Sequence, residues 1–289
     1  LLLNAELLAF LFFALSPTSA RALDWRIKWS DEFSGPASAA PDASKWAYEE
    51  GGGGWGNHEL ENYCAPATTT PPCDTSRPSA SLDGQGHLVI EASRDAQGRW
   101  TSARMKSAGR VKFRYGRIEA RLKLPVGAGL WPAFWLLGSD IPSVGWPQCG
   151  EIDVMENIPG VGDNPLGPDT VRSTLHGEGY SQAHGLGRNF TFPGGGRVDT
   201  DFHVYGVIWS KDKMQFYVDD WRKPYFMLTA KDVPNGSRWQ FNKDFFILLN
   251  LAVGGDWPGP PGKSTPDPAK MIIDYVRVYE PTDPRIRNP

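Results

Sequence analysis

The sequence predicts an all-β fold, a two-sheet antiparallel sandwich, on three observations. Short segments alternate apolar and polar residues with period two. Gly and Pro, 32 and 25 of 289 residues, punctuate the chain every few positions. No long stretch carries a helical period. Strands without intervening helices bury their apolar faces against a second sheet, which is the sandwich arrangement.

From the N-terminus, residues 7–15 (LLAFLFFAL) are apolar but too short to span a bilayer, and Ser16-Pro17 and the small-residue pattern Ala20-Arg21-Ala22 follow. This is the pattern of an export signal cut after Ala22. Residues 1–22 are therefore expected to be removed, and residues 23–289 to form one domain, secreted to the periplasm or the cell exterior. Position 1 is Leu and no basic residue precedes the apolar run, so the natural N-terminus is expected further upstream.

The strand expectations begin at residues 88–92. Residues 116–124 place Ile118, Ala120, Leu122 and Leu124 on one face and Arg117, Glu119, Arg121 and Lys123 on the other, a strand with one wet side that is expected to border a cleft. Residues 202–209, 214–218, 245–253 and 272–279 complete the set, with Asp219-Asp220 as a hairpin turn after Val218. Residues 66–78 form a Pro/Thr-rich surface loop. With export inferred, Cys64 and Cys73 are close enough there to close a small disulfide, leaving Cys149 free and buried.

The charge balance, 30 Lys+Arg against 33 Asp+Glu for a net charge of -3, contains no basic block. It excludes the electrostatic footprint of a nucleic-acid or anionic-membrane partner and suits a neutral ligand. Twelve Trp is a high count, and flat apolar faces with polar edges are what a sugar ring stacks against, although part of them belongs in the core.

Chemistry concentrates at Gly150-Glu151-Ile152-Asp153-Val154-Met155-Glu156-Asn157, three carboxylates in an otherwise apolar, β-branched stretch. Gly150 and Pro159 bracket it, and Ile152 and Val154 favour a strand. In a regular strand Glu151 and Asp153 share a face and Glu156 falls on the other. A β-bulge near Val154-Met155 returns Glu156 to the face of Glu151. Carboxyls so close cannot all ionise freely, so one is held protonated beside an ionised partner, which is what glycosidic cleavage requires. A calcium site or an exposed acidic strand are the other readings. The loop spacing of Asp, Asn and Gly that calcium uses is missing, and an exposed strand has no need of so apolar a neighbourhood.

The acidic string, together with Trp29-Ser30-Asp31-Glu32-Phe33, Trp55-Gly56-Asn57-His58-Glu59-Leu60, residues 115–121, residues 129–135, Leu175-His176-Gly177, residues 250–255 and residues 274–279, resembles glycoside hydrolase family 16, in particular its laminarinase-like endo-β-1,3-glucanases. The resemblance spans nearly all of residues 23–289 in the family's order. It implies a concanavalin-like β-jelly-roll with an open concave cleft, and hydrolysis of β-glucan with retention of configuration. Glu151 is then the nucleophile, Glu156 the acid/base and Asp153 the assisting acid. The two residues between Asp153 and Glu156 resemble the bulged laminarinase branch, which points to β-1,3-glucan.

By the same resemblance Trp131, Trp135, Trp257 and Trp146 are aromatic cleft positions, Asn57, Glu59 and Arg117 line the donor side, and His176 lies on the leaving-group side. A structural Ca2+ is implied on the convex face at the carbonyls of Glu32 and Gly86 and the side chain of Asp274, with no cofactor for catalysis. The expected partner is a β-glucan polysaccharide or oligosaccharide, and the protein a monomer. Other readings are a same-fold enzyme acting on mixed-linkage glucan or galactan, a transglycosylase, or a non-catalytic β-glucan-binding protein. The last typically lacks the Glu pair present here. Asn189-Phe190-Thr191 and Asn235-Gly236-Ser237 fit the N-glycosylation pattern.

Overall fold

The structure is a computed structural model that describes residues 25–159 and 166–282. The apolar run at 7–15 and the cleavage point after Ala22 lie outside the described residues. In chain order the strands are β1 (Trp25–Asp31), β2 (Ala47–Glu49), β3 (Asn62–Tyr63), β4 (Ala80–Leu82), β5 (Leu88–Arg94), β6 (Trp100–Ser102), β7 (Arg104–Lys106), β8 (Gly116–Lys123) and β9 (Leu130–Gly138). They continue with β10 (Glu151–Glu156), β11 (Thr170–His176), β12 (Leu186–Thr191), β13 (His203–Ser210), β14 (Lys213–Val218), β15 (Phe226–Thr229), β16 (Phe245–Val253) and β17 (Ala269–Pro281). The α-helix among the described residues is one turn, Ile141–Val144, and no helix there is long and apolar enough to cross a membrane.

Two sheets face each other. One has ten strands in the order β15-β14-β13-β8-β17-β5-β6-β3, with β1 added on β17 and β4 on β5; the other has seven, β12-β11-β10-β9-β16-β7-β2. All pairings are antiparallel apart from β3 with β6. The core between them follows the strand period: Ile118, Ala120 and Leu122 of β8 meet Phe134 and Leu136 of β9 and Ile247 and Leu249 of β16 in one buried cluster.

β9 and β16 are apolar on both faces. Their outward residues Ala133, Trp135, Leu137, Phe246 and Leu248 form a second, smaller buried cluster with Cys149 on the far side of the seven-stranded sheet. A strand buried on both faces reads as a continuous apolar run without alternation, which is why β9 carries no period-two signal.

Two expectations are corrected. The polar side of β8 is wet only toward its C-terminal end, where Arg121 and Lys123 are partly exposed. Arg117 and Glu119 are buried because Trp25, Trp221 and Tyr279 surround the Arg117 guanidinium, and the Tyr217 and Tyr279 hydroxyls donate to Glu119. Asp219-Asp220 opens a longer connection, 219–225, between β14 and β15. The tight hairpin turn is Lys211-Asp212, between β13 and β14, where Asp212 takes φ 57°.

The disulfide joins Cys64 to Cys73, and Cys149 is free and fully buried. Burial, reinforced by the neighbouring Glu151, pushes the Cys149 thiol up to about 11. Thiol titration of the unfolded, unreduced protein is expected to find one reactive group and the native protein none on the same timescale. Three thiols on unfolding would mean that the bridge does not form.

Candidate active site

β10 enters the seven-stranded sheet through Gly150, whose φ of +72° favours glycine and whose Cβ would meet Gln240 at 2.9 Å. Asp153 then pairs with Trp135 and Met155 with Phe134, so Val154 is an extra residue. On the other side Asp153 pairs with Thr174 and Glu156 with Arg172. This is the bulge that the face argument requires. Val154 and Met155 both enter the main core, and Glu151, Asp153 and Glu156 emerge on the outward face. A bulge leaves backbone groups unpaired. Here the Ser173 hydroxyl donates to the Val154 carbonyl at 2.7 Å, and Tyr225 holds that hydroxyl at 2.6 Å.

The two outer carboxylates each accept one indole N–H. Trp146 Nε1 lies 2.9 Å from Glu151 Oε2, and Trp131 Nε1 lies 3.1 Å from Glu156 Oε1. His176, directly opposite Glu151 across the ladder, places Nε2 3.2 Å from Asp153 Oδ2 and 4.0 Å from Glu151 Oε1. Its ring lies against Gly185, where any Cβ would collide with it.

Burial raises all three carboxyls. Glu151 is pushed up to about 8 by desolvation and then by Asp153, against the favourable influence of His176, the Trp146 N–H and Arg104. Asp153 is likewise pushed up to about 8 by burial, and Glu156 is held well above the usual carboxylate range by burial and by its two acidic neighbours. Glu151 is the most open of the three, with 18% of its side chain exposed against 4% for Asp153. It is the group that water and a ligand reach.

Around the acids the expected residues separate into groups. Trp257 stands edge-on to Trp131, with centroids 5.4 Å apart, and both are half-buried, as a flanking pair requires. Trp146 is 39% exposed. Trp135 is on the outward face but lies in its floor. It is buried, donates to Asn250 Oδ1 at 2.8 Å, and carries the Arg104 guanidinium 4.8 Å from its ring centroid, so it offers no free stacking surface.

Asn57 and Glu59 join that floor through a relay: Asn57 donates to Glu59, Tyr63 donates to Glu59 Oε2, and Asn250 donates to Tyr63. Beside it Glu61 is fully buried, accepts the Val253 N–H, and is pushed up to about 9 by burial and by Glu59. Arg117 is not part of the site. It belongs to β8 in the opposite sheet, paired with Glu119.

The one side chain in the expected calcium set is already paired. The Asp274 carboxylate, the one anionic donor in the set, is bound by Arg121 Nη1, and Arg277 grips both oxygens of Glu32. The Glu32 and Gly86 contributions are backbone carbonyls, which the Arg277 pairing does not occupy, and Arg121 holds one of the two Asp274 oxygens.

Sequence reasoning missed Arg104, Asn250, Tyr63 and Arg172. Arg104 bridges Trp55 and Trp135 while paired to Glu49 at 2.7 Å, and Arg172, opposite Glu156, is bound by Asn189 at 3.0 Å. One signal was available: Asn250 is the single polar residue in the apolar strand FFILLNLAV.

The sequence profile of glycosyl hydrolases family 16 matches residues 73–277. A β-glucanase of Rhodothermus marinus is 40% identical over 275 residues, covering 91% of this chain and 88% of that protein. Glucan endo-1,3-β-glucosidase A1 of Niallia circulans is 32% identical over 92% of this chain, which spans 39% of that longer protein. Among solved structures, an endo-β-1,3-glucanase from Pyrococcus furiosus superposes with a TM-score of 0.77 at 43% identity, covering 91% of this chain and 97% of that one.

Two expectations follow from the site's packing. Glu151 has a folded value near 8 against an ordinary 4.5, so the native state holds its proton more tightly than the unfolded chain. The resulting stability is present below about pH 4.5 and is lost as pH rises through about 8. Urea midpoints measured across that window should fall with rising pH, and Glu151→Gln should flatten the slope; an unchanged slope would remove Glu151 as its source. Trp135→Ala should lower unfolding free energy by about 3–5 kcal/mol, the cost of emptying a buried aromatic site, and Trp131→Ala by less than about 1 kcal/mol. Equal losses in chemical denaturation would contradict the assignment of Trp135 to the floor.

Proposed function

The chain belongs to glycosyl hydrolases family 16, and from that premise we propose that it is an exported, endo-acting β-1,3-glucan hydrolase that retains configuration by double displacement. The observation that carries this reading is the bulged strand β10, which sets Glu151, Asp153 and Glu156 on one outward face with an indole donor on each outer carboxylate.

The roles follow from the environments. Glu151 is the more open carboxyl and has His176 and Arg104 nearby to favour its anion, so it is the nucleophile. The Asp153 charge is one of the influences that raise Glu151, so protonation of Asp153 removes that like charge and frees Glu151 to ionise. Glu156 is more enclosed and flanked by two acids, so it keeps its proton and delivers it to the leaving oxygen.

In the first step Glu151 attacks the anomeric carbon while Glu156 protonates the departing glucosyl oxygen. In the second, Glu156 takes a proton from water, which displaces Glu151 from the glycosyl-enzyme. Trp131 and Trp257 supply aromatic surface beside the acid/base. The reaction assigned here uses only these carboxyls. The β-1,3 preference is supported by the Pyrococcus and Niallia relatives, both named for that linkage; the low net charge suits a neutral glucan of any linkage. Export is supported by the apolar run at 7–15 and by the Cys64–Cys73 bridge, which forms in oxidising compartments.

The test uses two variants and an external nucleophile with an activated aryl β-glucoside. Glu151→Ala with azide is expected to give an α-glycosyl azide by direct displacement, and Glu156→Ala with azide a β-glycosyl azide released from the trapped intermediate. Wild-type products from laminarin should appear first as β-anomers; α-anomers would mean inversion and sink the assignment. Product chromatography against laminarin, lichenan, agarose and xyloglucan tests the linkage, with laminarin expected to be cut fastest.

A further inference from the structure

Glu151, Asp153 and His176 form, among the described residues, the cluster of three side chains whose possible ligand atoms all lie within 4.8 Å of one another. Paired strands hold it: Glu151 and His176 are direct partners across β10 and β11, and Asp153 is two residues along the ladder. The donor atoms are preselected. Trp146 occupies Glu151 Oε2, which leaves Oε1 facing His176.

Asp153 is 3% exposed and its Oδ2 has no hydrogen-bond partner, although His176 Nε2 is only 3.2 Å away. The two atoms are close without bonding each other, as are ligands that converge on a third point. Tetrahedral zinc with bonds of about 2.0–2.1 Å sets its ligands roughly 3.3 Å apart. The His176–Asp153 separation already has that value, and Glu151, 4.0 Å from His176 and within 4.8 Å of the set, completes it by a movement of its partly exposed side chain.

We infer that a borderline divalent transition-metal ion, with Zn2+ as the type, binds between Glu151, Asp153 and His176 with its open coordination position toward the substrate side. One imidazole among two carboxylates selects zinc-like ions over Mg2+ and Ca2+, which take all-oxygen sets. The ion occupies the carboxylate that attacks sugar, so it excludes substrate and stops turnover reversibly. That consequence rests on the function proposed above; the binding itself does not.

Affinity is moderate for two reasons. His176 Nδ1 is buried without a partner, so the outer shell that usually orients a metal-bound imidazole is missing. Arg104 and Arg172 also place positive charge near the same carboxylates.

The experiment is calorimetric titration of the whole chain with ZnCl2 in a non-chelating buffer near neutral pH, with the Co2+ absorption spectrum as a second readout. One equivalent is expected to bind with a dissociation constant of about micromolar order and a tetrahedral cobalt signature. His176→Gln and Asp153→Asn should each weaken binding by about tenfold or more, since losing even an outer-shell partner costs about 10–100-fold. A saturating β-1,3-linked glucotetraose should compete with the ion on the wild-type protein, a reading that does not depend on either variant folding. Absence of binding, or binding untouched by both variants and by the oligosaccharide, would overturn the site. Metal binding with these dependences in a protein that hydrolyses no β-glucan would leave the site standing and remove the function. Undiminished hydrolysis at full occupancy would overturn the exclusion of substrate.

Discussion

Val154 is one residue too many for the ladders on either side of β10, and that surplus decides where each carboxylate of the site points. Without it Glu156 would enter the core between the sheets, where an ionisable group without partners is strongly disfavoured. With it Val154 and Met155 both face inward and three acids face outward. The bulge needs support of its own, because its carbonyl leaves the ladder. Ser173 and Tyr225 provide it from the core side, so the geometry of the acids depends on a hydroxyl pair that never touches them. Asn157 anchors the end of the strand through the Gly167 and Thr170 carbonyls.

Rigidity at the acids also requires a firm floor. β9 and β16 are apolar on both faces, so the seven-stranded sheet is clamped between the main core and the smaller cluster around Trp135 and Leu248. Most polar groups of this floor are linked in series. Trp135, Asn250, Tyr63, Glu59 and Asn57 form one continuous hydrogen-bond relay, and Arg104 covers the Trp135 ring while paired to Glu49. Burial of the three carboxyls follows from this packing. It raises their proton affinities together, and the differences in exposure and neighbours then set Glu151 apart from Glu156.

The outer face of the ten-stranded sheet solves a different problem. Arg117 and Glu119 lie in sequence as solvent-facing residues, yet an aromatic group from β1, β14, β17 and the 219–225 connection closes over them. A guanidinium stacks on ring faces at little cost because it is weakly hydrated, and it keeps its charge partner beside it. Neighbouring pairs, Arg121 with Asp274 and Arg277 with Glu32, balance the acids on the same face.

The all-β class, strands at 88–92, 116–124, 202–209, 214–218, 245–253 and 272–279, each overlapping an observed strand, the disulfide pairing and the need for a bulge near Val154-Met155 were legible in the sequence by itself. Each rests on a local rule: period two, turn residues, spacing between cysteines, or the face that a side chain occupies. Tertiary structure alone decided which sheet each strand joins, and with it that Trp135 is floor and Trp131 flank, that Arg117 lies across the molecule from Glu151, and that Arg104 enters the site. The physical reason is that strand alternation separates two faces but does not say which is covered. An aromatic or a guanidinium is stable buried or half-open, and only the packing of distant segments chooses between them.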